Sequence, residues 1–315
     1  MVDLPAVDIV FSCYEKDYPR ILNEKNIQEI CQKNHFQFKN IIVLINNVIN
    51  RPKVEKIAQN FIDKHIITDF FFVEDYERQA FETLGLTRKE FGKVYYFTNW
   101  AFVMPFVAKS KYFIHWDPNV CFAQEGDWIT PSLIEMDRNP NYFAATPVSN
   151  ADPEDMKWDI VSGKETEDFY YSYSFTDIIF LANRQNLMQP IYKYQHFDCY
   201  TYPLYFIAHT FESRLGAYMR YANKQRLLCK KAVFTHIGGM GNHYPRLSFR
   251  EIFKGWLWDT AYQSYQILYK STDNEYRLNP KIIRKLVYKE YKKWRQLIGI
   301  IGSVKKTEEF HHYRW

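Results

Sequence analysis

Asp117-Pro118-Asn119 interrupts two apolar runs, one from Tyr112 to Trp116 and one that resumes at Val120. Asp is depleted inside strands, so a carboxylate at the exit of such a run serves either a turn or a ligand. An acid and an amide two residues apart on an extended chain lie on the same side, where both can reach one hard cation. The same three residues are ordinary turn chemistry, with Pro fixing φ and Asp bonding its own backbone. Taken alone they favour the plain turn, and the rest of the chain shifts the weight toward a ligand. Glu212 and Asp177 are the carboxylates available to take a proton from a hydroxyl. Glu212 can equally pair with Arg214 or Arg220 on a helix face, and Asp177 can equally cap a strand. His236 leaves the apolar run Lys231–His236 just ahead of Gly238-Gly239-Met240-Gly241. A half-buried histidine with a satisfied ring is the plainer reading of it. Ser12-Cys13-Tyr14, Asn46-Asn47 and Glu74-Asp75 are three more polar groups at the ends of apolar runs.

Those polar ends need elements to hold them. The pattern predicts strands at Val7–Ser12, Phe38–Asn47, Ile67–Val73 and Tyr112–Trp116. Helices are predicted at Tyr18–Lys33, Arg51–His65 and Val94–Ala108. Strands that are apolar on both faces and alternate with helices form a parallel sheet with helices on either side. Ligands of such sheets gather at the carboxyl ends of the strands, and all four predicted strands end there in polar residues. Further on, a helix is expected at Trp128–Arg138, strands at Tyr142–Val148 and Ser174–Ala182, a helix at Tyr202–Tyr221 and a last strand at Lys231–His236. Ser149–Asp168 is polar without a clear period and reads as a mobile loop over the site. Residues 1–240 are expected to form one catalytic domain and 241–315 an aromatic, basic, helical extension.

The composition is globular, with 47% hydrophobic and 24% charged residues. The aromatic share of 18% suits sugar or base stacking, although most of the rings must be core. Five scattered cysteines without a CxxC pair argue against a disulfide framework or a zinc ribbon and fit a reducing, cytoplasmic setting. No signal peptide and no run long enough for a membrane span is visible. The net charge of +5 is mild, and no nucleic-acid partner is expected. Leu278–Ile301 places basic residues among Ile282, Ile283, Leu286, Val287, Tyr291 and Trp294 at near-helical spacing. It reads as a helix packed on the domain or as an interfacial helix in peripheral contact with a membrane.

From Val7 to His236 these pieces, in this order, resemble a family 2-like, GT-A fold glycosyltransferase using a nucleotide sugar. Val7-Asp8-Ile9-Val10-Phe11-Ser12-Cys13-Tyr14 looks like the first strand and turn that cradle the nucleotide. Asn99 to Asp117 looks like the helix and strand leading into the metal motif. Phe175 to Arg184 is similar to the strand lining the acceptor side. Thr210-Phe211-Glu212-Ser213-Arg214-Leu215-Gly216 resembles the acidic helix start that supplies the base of inverting members. Val233-Phe234-Thr235-His236 is similar to the late strand whose His completes the metal shell. The sequence departs from the family in having Asp-Pro-Asn for the metal motif and no paired acids at Glu212.

The resemblance implies an enzyme of the hexosyltransferase class with a Rossmann-like, mostly parallel α/β sheet, acting in polysaccharide biosynthesis. Ser12, Cys13, Tyr14, Asn46, Asn47, Asp75, Trp116 and Asp117 would line a UDP- or GDP-sugar. Asp117, Asn119 and His236 would hold Mn²⁺ or Mg²⁺, and Glu212 or Asp177 would serve an inverting transfer to a glycan or lipid-linked acceptor. The rival readings are a non-catalytic nucleotide- or carbohydrate-binding module of the same fold, and a nucleotidyltransferase that needs Asp117 and a metal but releases pyrophosphate.

Overall fold

The computed structural model describes residues 4–15, 18–117, 119–150, 160–196, 199, 202, 204–205, 207–237, 248, 250–251 and 253–257. The chain divides into two compact units, Met1–Arg246 and Leu247–Trp315. The predicted basic helix at Leu278–Ile301 lies outside the described residues.

In the first unit ten strands form one mixed sheet: β1 (Val7–Tyr14), β2 (Asn40–Asn46), β3 (Asp69–Phe72), β4 (Tyr112–Trp116), β5 (Val120–Gln124), β6 (Tyr142–Ser149), β7 (Ile160–Glu165), β8 (Phe169–Ser172), β9 (Ile179–Asn183) and β10 (Gln225–His236). Their order is β3-β2-β1-β4-β9-β6-β10-β8-β7, with β5 paired to β10 off this path. The first four strands run parallel to one another. β9 runs antiparallel to both β4 and β6. The α/β sheet flanked by helices expected from the sequence is therefore present.

Strand alternation sorts the residues of β1 into two sets. Val7, Ile9, Phe11 and Cys13 join the core that also holds Ile27, Val54, Ala58, Phe61, Leu133 and Met136. Those partners come from α2 (Glu24–Lys33), α3 (Arg51–Asp63) and α6 (Ile129–Arg138). The opposite face meets α4 (Val73–Leu84), α5 (Tyr95–Val107) and α8 (Phe211–Tyr221) through an aromatic cluster. In it Phe102 lies edge-on to Phe81, Tyr192 and Phe211, and Phe180 packs on Phe113 and Phe175.

A buried carboxylate fixes the start of the parallel half. Asp8 is wholly enclosed and accepts from Asn40 Nδ2 at 2.7 Å, from the Lys109 and Ser110 backbone N–H groups at 2.6 and 2.7 Å, and from Ser110 Oγ at 2.6 Å. One side chain of β1 thus ties the first residue of β2 to the turn that launches β4.

Several expected elements differ in the structure. The predicted helix Tyr18–Lys33 is broken into α1 (Tyr18–Ile21) and α2, because Asn23 caps the second by accepting from Asn26 N–H. Glu74 and Asp75 are not a strand-end loop: they occupy the first turn of α4, which closes on left-handed Gly85. The predicted loop Ser149–Asp168 contains β7, which pairs with β8, and its residues 151–159 lie outside the described set. The strand predicted from Ser174 begins at Ile179, and the helix predicted from Tyr202 begins at Phe211. A four-residue helix, α7 (Arg184–Leu187), follows β9. All five cysteines are thiols.

Replacing Asp8 with Ala leaves four buried or half-buried donors without their acceptor. Asp8→Ala is expected to destabilise the chain by about 3 kcal/mol or more, read as a lower urea midpoint at unchanged slope. A loss under about 1 kcal/mol would remove Asp8 from this role.

Candidate active site

The carboxyl ends of β1, β2 and β4 converge through their registers. Tyr14 is paired with Asn46, and Phe11 with Trp116. Ser12, Tyr14, Asn46, His115 and Asp117 occupy alternating positions on the face opposite the Cys13 core. The other residues expected at the nucleotide fall elsewhere. Cys13 is 3% exposed within the core, and Trp116 is fully buried against Phe122 at 5.0 Å. Both belong beneath the rim rather than on it, because neighbours in a strand face opposite ways. Asp75 is held in a two-bond fork by Arg51, which also covers the Phe72 ring at 4.0 Å, and this pair pulls its pKa below the usual carboxylate value. Asn47 is exposed, adopts φ +47°, and donates its N–H to Glu74 at 2.9 Å.

Asn46 reaches into the protein. Its Nδ2 donates to Asn99 Oδ1 at 3.0 Å and to the Tyr96 carbonyl at 3.2 Å, and its own Oδ1 is buried with no hydrogen-bond partner. His115, two residues before Asp117, is a residue the sequence reading missed. Its Nε2 lies 2.9 Å from Ser12 Oγ, and its ring stacks on Trp100 at 4.7 Å. Burial pushes its pKa down to about 3, against the opposing pull of the Asp177 backbone, so the ring is neutral at ordinary pH. Period-two spacing from Asp117 was the signal for it.

Asp117 closes an Asx turn: its Oδ1 accepts from Asn119 N–H at 2.6 Å. The turn reading of this motif is thus present in the geometry, alongside its position on the rim. β5 then runs antiparallel to the end of β10, with Val120 opposite His236, and Ile237 N–H donates to the Asn119 carbonyl at 2.7 Å. Asp117, Asn119 and the backbone of residue 236 are therefore brought to one corner. The side chain of His236 and the whole of Pro118 lie outside the described residues. No cluster of three or more metal-ligating side chains occurs among the described residues.

The expected acids, Glu212 and Asp177, meet each other. Because β9 runs antiparallel to β4, its entry lies beside the exit of β4, and Asp117 N–H donates to the Ile178 carbonyl at 2.9 Å. Helix α8 starts at the same place, anchored by Phe211 N–H donating to Thr98 Oγ1 at 2.8 Å. Glu212, in its first turn, accepts the Asp177 N–H at 3.0 Å. Both carboxyl groups are half-buried. Enclosure raises the Asp177 pKa well above its ordinary 3.8, reinforced by the charges of Glu212 and Asp117. Enclosure also raises Glu212, but hydrogen bonds from the Asp177 backbone and from Thr176 and the charge of Arg226 resist the shift. Both acids are therefore pushed toward the protonated form, Asp177 more strongly than Glu212. Arg226, buried on β10 and bonded to Ser174 Oγ at 3.0 Å, was also missed, since its link to Glu212 crosses 14 residues and two elements.

No protein-family profile matches the chain, and no curated protein matches it in sequence. Among solved structures it is similar to a mannosyltransferase from Pyrobaculum calidifontis in complex with GDP-Man and Mn²⁺, at 10% identity and TM-score 0.46 over 97% of this chain and 77% of that one. It is also similar to GalNAc-T7 with UDP, GalNAc and Mn²⁺, at 10% identity and TM-score 0.45 over 96% of this chain. The chain spans 58% of the length of that protein. A third likeness is to glucosyl-3-phosphoglycerate synthase from Mycobacterium tuberculosis with Mg²⁺ and UDP, at 10% identity and TM-score 0.39 over 75% and 72% of the two chains. Likeness at this level concerns the course of the chain, and the chemistry is argued from the residues above.

A carboxyl whose pKa is higher folded than unfolded gives stability that is complete below its unfolded value and lost as pH rises through its folded value. Asp177→Asn removes that dependence. The difference in melting temperature between wild type and Asp177→Asn is expected to move in favour of the variant as pH rises from about 4 to about 7. A difference that does not change with pH would mean that folding does not raise the Asp177 pKa.

Proposed function

We propose that this chain is a nucleotide-sugar glycosyltransferase of GT-A fold that transfers with inversion. The observation that carries the reading is the convergence, on one sheet face, of the polar ends of β1, β2 and β4 and the Asp177–Glu212 acid pair beside Asp117. Displacing a nucleoside diphosphate from a sugar needs charge stabilisation at the leaving phosphate and a base at the acceptor hydroxyl. The rim and the acid pair supply places for both.

Ser12 and Tyr14 would take the nucleoside of a UDP- or GDP-sugar, with Asn46 fixing the end of β2 beneath them. The donor set at the Asp117 corner, a carboxylate and an amide, with His236 paired opposite Val120 in the adjoining strand, fits Mn²⁺ or Mg²⁺. Such an ion, when bound, would neutralise the diphosphate. Asp117 orients its carboxylate through the Asx turn. Glu212 takes the acceptor proton. Its carboxylate is fixed by the Asp177 N–H, and its raised pKa brings it closer to the working range of a base at neutral pH. Asp177, the more strongly raised of the two, holds Glu212 in place through that N–H. The acceptor is proposed to be a glycan or a lipid-linked sugar. No helix among the described residues is long and apolar enough to cross a membrane, and contact with a lipid surface would fall to the C-terminal segment.

Two substitutions separate the roles. Glu212→Gln keeps the shape and removes the proton acceptor. It is expected to reduce transfer by at least about a hundredfold while nucleotide-sugar binding by calorimetry stays near that of wild type. Asp117→Ala should abolish transfer and weaken metal-dependent nucleotide binding without lowering the melting temperature. Near-normal turnover by Glu212→Gln would place the base elsewhere. Absence of binding by both UDP and GDP in the presence of Mn²⁺ would overturn the reading as a whole.

A further inference from the structure

A cavity of about 310 Å³ opens at the other end of the sheet, lined by Tyr112, Phe143, Asn183, Asn186, Gln189 and Tyr218 among others. Its size is at the lower end of small-ligand pockets, which begin at roughly 300 Å³. Two elements separate it from the rim. Tyr112 begins the strand that Trp116 ends, so β4 sets roughly 13 Å between them at ~3.3 Å per residue. Glu212 begins α8 and Tyr218 lies two turns later, a further separation of roughly 9 Å at ~1.5 Å per residue. Nothing in the proposed transfer uses this cavity.

The cavity's charges are already engaged. Lys111 Nζ donates to Asp137 Oδ1 at 2.7 Å, and Lys224 Nζ to the Pro140 carbonyl at 3.0 Å. The rest of the wall is mostly neutral: tyrosine hydroxyls and the amides of Asn186, of Asn183, whose Oδ1 accepts from Gln185 N–H at 2.9 Å, and of Gln189, whose Nε2 donates to the Gln185 carbonyl at 3.3 Å, with Phe143 among the apolar lining. An aromatic path continues outward from it. Tyr218 lies 5.5 Å from Tyr194, and Tyr194 lies 4.4 Å from Tyr221. Tyr221 is 71% exposed, unusual for so large a ring.

Amides and phenols match the alternating donors and acceptors of sugar hydroxyls, and exposed aromatic faces match the C–H faces of pyranose rings. An anion would find Lys111 neutralised by Asp137 and, of the lining cations, Lys224 alone still uncompensated on its neutral carbonyl. We infer that this cavity, with the Tyr194–Tyr221 platform beside it, is a second, non-catalytic carbohydrate-binding site for a short neutral oligosaccharide. The inference stands apart from the transfer reaction, since binding is read whether or not the chain turns over.

The test is titration of the full chain with maltotetraose, cellotetraose, mannotetraose and chitotetraose, by calorimetry and saturation-transfer NMR, with inorganic phosphate as the comparison. At least one tetrasaccharide is expected to bind. Asn186→Ala and Tyr221→Ala, both at exposed positions and checked for an unchanged melting temperature, should each weaken it about tenfold. Asp117→Ala and saturating UDP or GDP should leave it unchanged. Four outcomes would overturn the inference: no binding by any of the four sugars, binding indifferent to both substitutions, binding abolished by nucleotide, or binding of phosphate in place of sugar.

Discussion

The parallel half of the sheet depends on the carboxylate of Asp8. Its four donors come from the head of β2 and from the turn before β4, so it sets the level at which three strands begin. Strands that begin within one residue of each other, and rise by the same amount per residue, stay in register. Tyr14 opposite Asn46, and Asp117 one residue beyond Trp116, are the far-end result of that near-end constraint. A buried charge is costly unless all its acceptor sites are used. Here the donors are supplied locally, which makes the tie specific to one register: a slip of one residue would leave it unmade and would turn every side chain of the strand to the wrong face.

The second half of the site is built on the opposite principle. β9 returns antiparallel beside β4, so the loop before it and the start of α8 arrive where β4 leaves. An antiparallel neighbour is the simplest way to bring an acid from late in the chain to a parallel strand's carboxyl end. The cost is crowding of like charge. N–H groups and Arg226 face Glu212 and hold its shift back, while the charges of Glu212 and Asp117 add to that of Asp177. Enclosure is what shifts both acids toward the range where proton transfer is useful.

The sequence made the first half legible and the second half only in part. Three strand exits ending in polar residues, those of β1, β2 and β4, mark a rim without any tertiary information, because periodicity and burial on both faces are local signals. Reading whole exits rather than alternate residues misassigned Cys13 and Trp116, and strand alternation was sufficient to exclude both. Helix α4 was missed although Glu74, Asp75 and Gly85 mark its two ends, because the apolar run through Val73 ends in β-formers that continue the strand pattern. Glu212 and Asp177 were both singled out as acids, but their hydrogen bond across 35 residues leaves no mark on either local segment. Neither do the partners of His115 and Arg226, which exist only once the sheet is assembled.

Strand β10 gives one last consequence. It is twelve residues long and pairs with β6 on one side and with β8 and then β5 on the other, and its register shifts between Cys229 and Val233. The bulge makes the strand two independent rulers joined by a slack link. Its first half keeps step with the core strands, and its second half carries His236 along β5 to the rim. Gly126 allows the chain to pass against this link, since a Cβ there would lie 2.2 Å from the Lys231 carbonyl oxygen. The first half holds Arg226, whose charge acts on Glu212, and the second half holds Asn119 through Ile237, so the two parts of the site hang on opposite sides of one bulge.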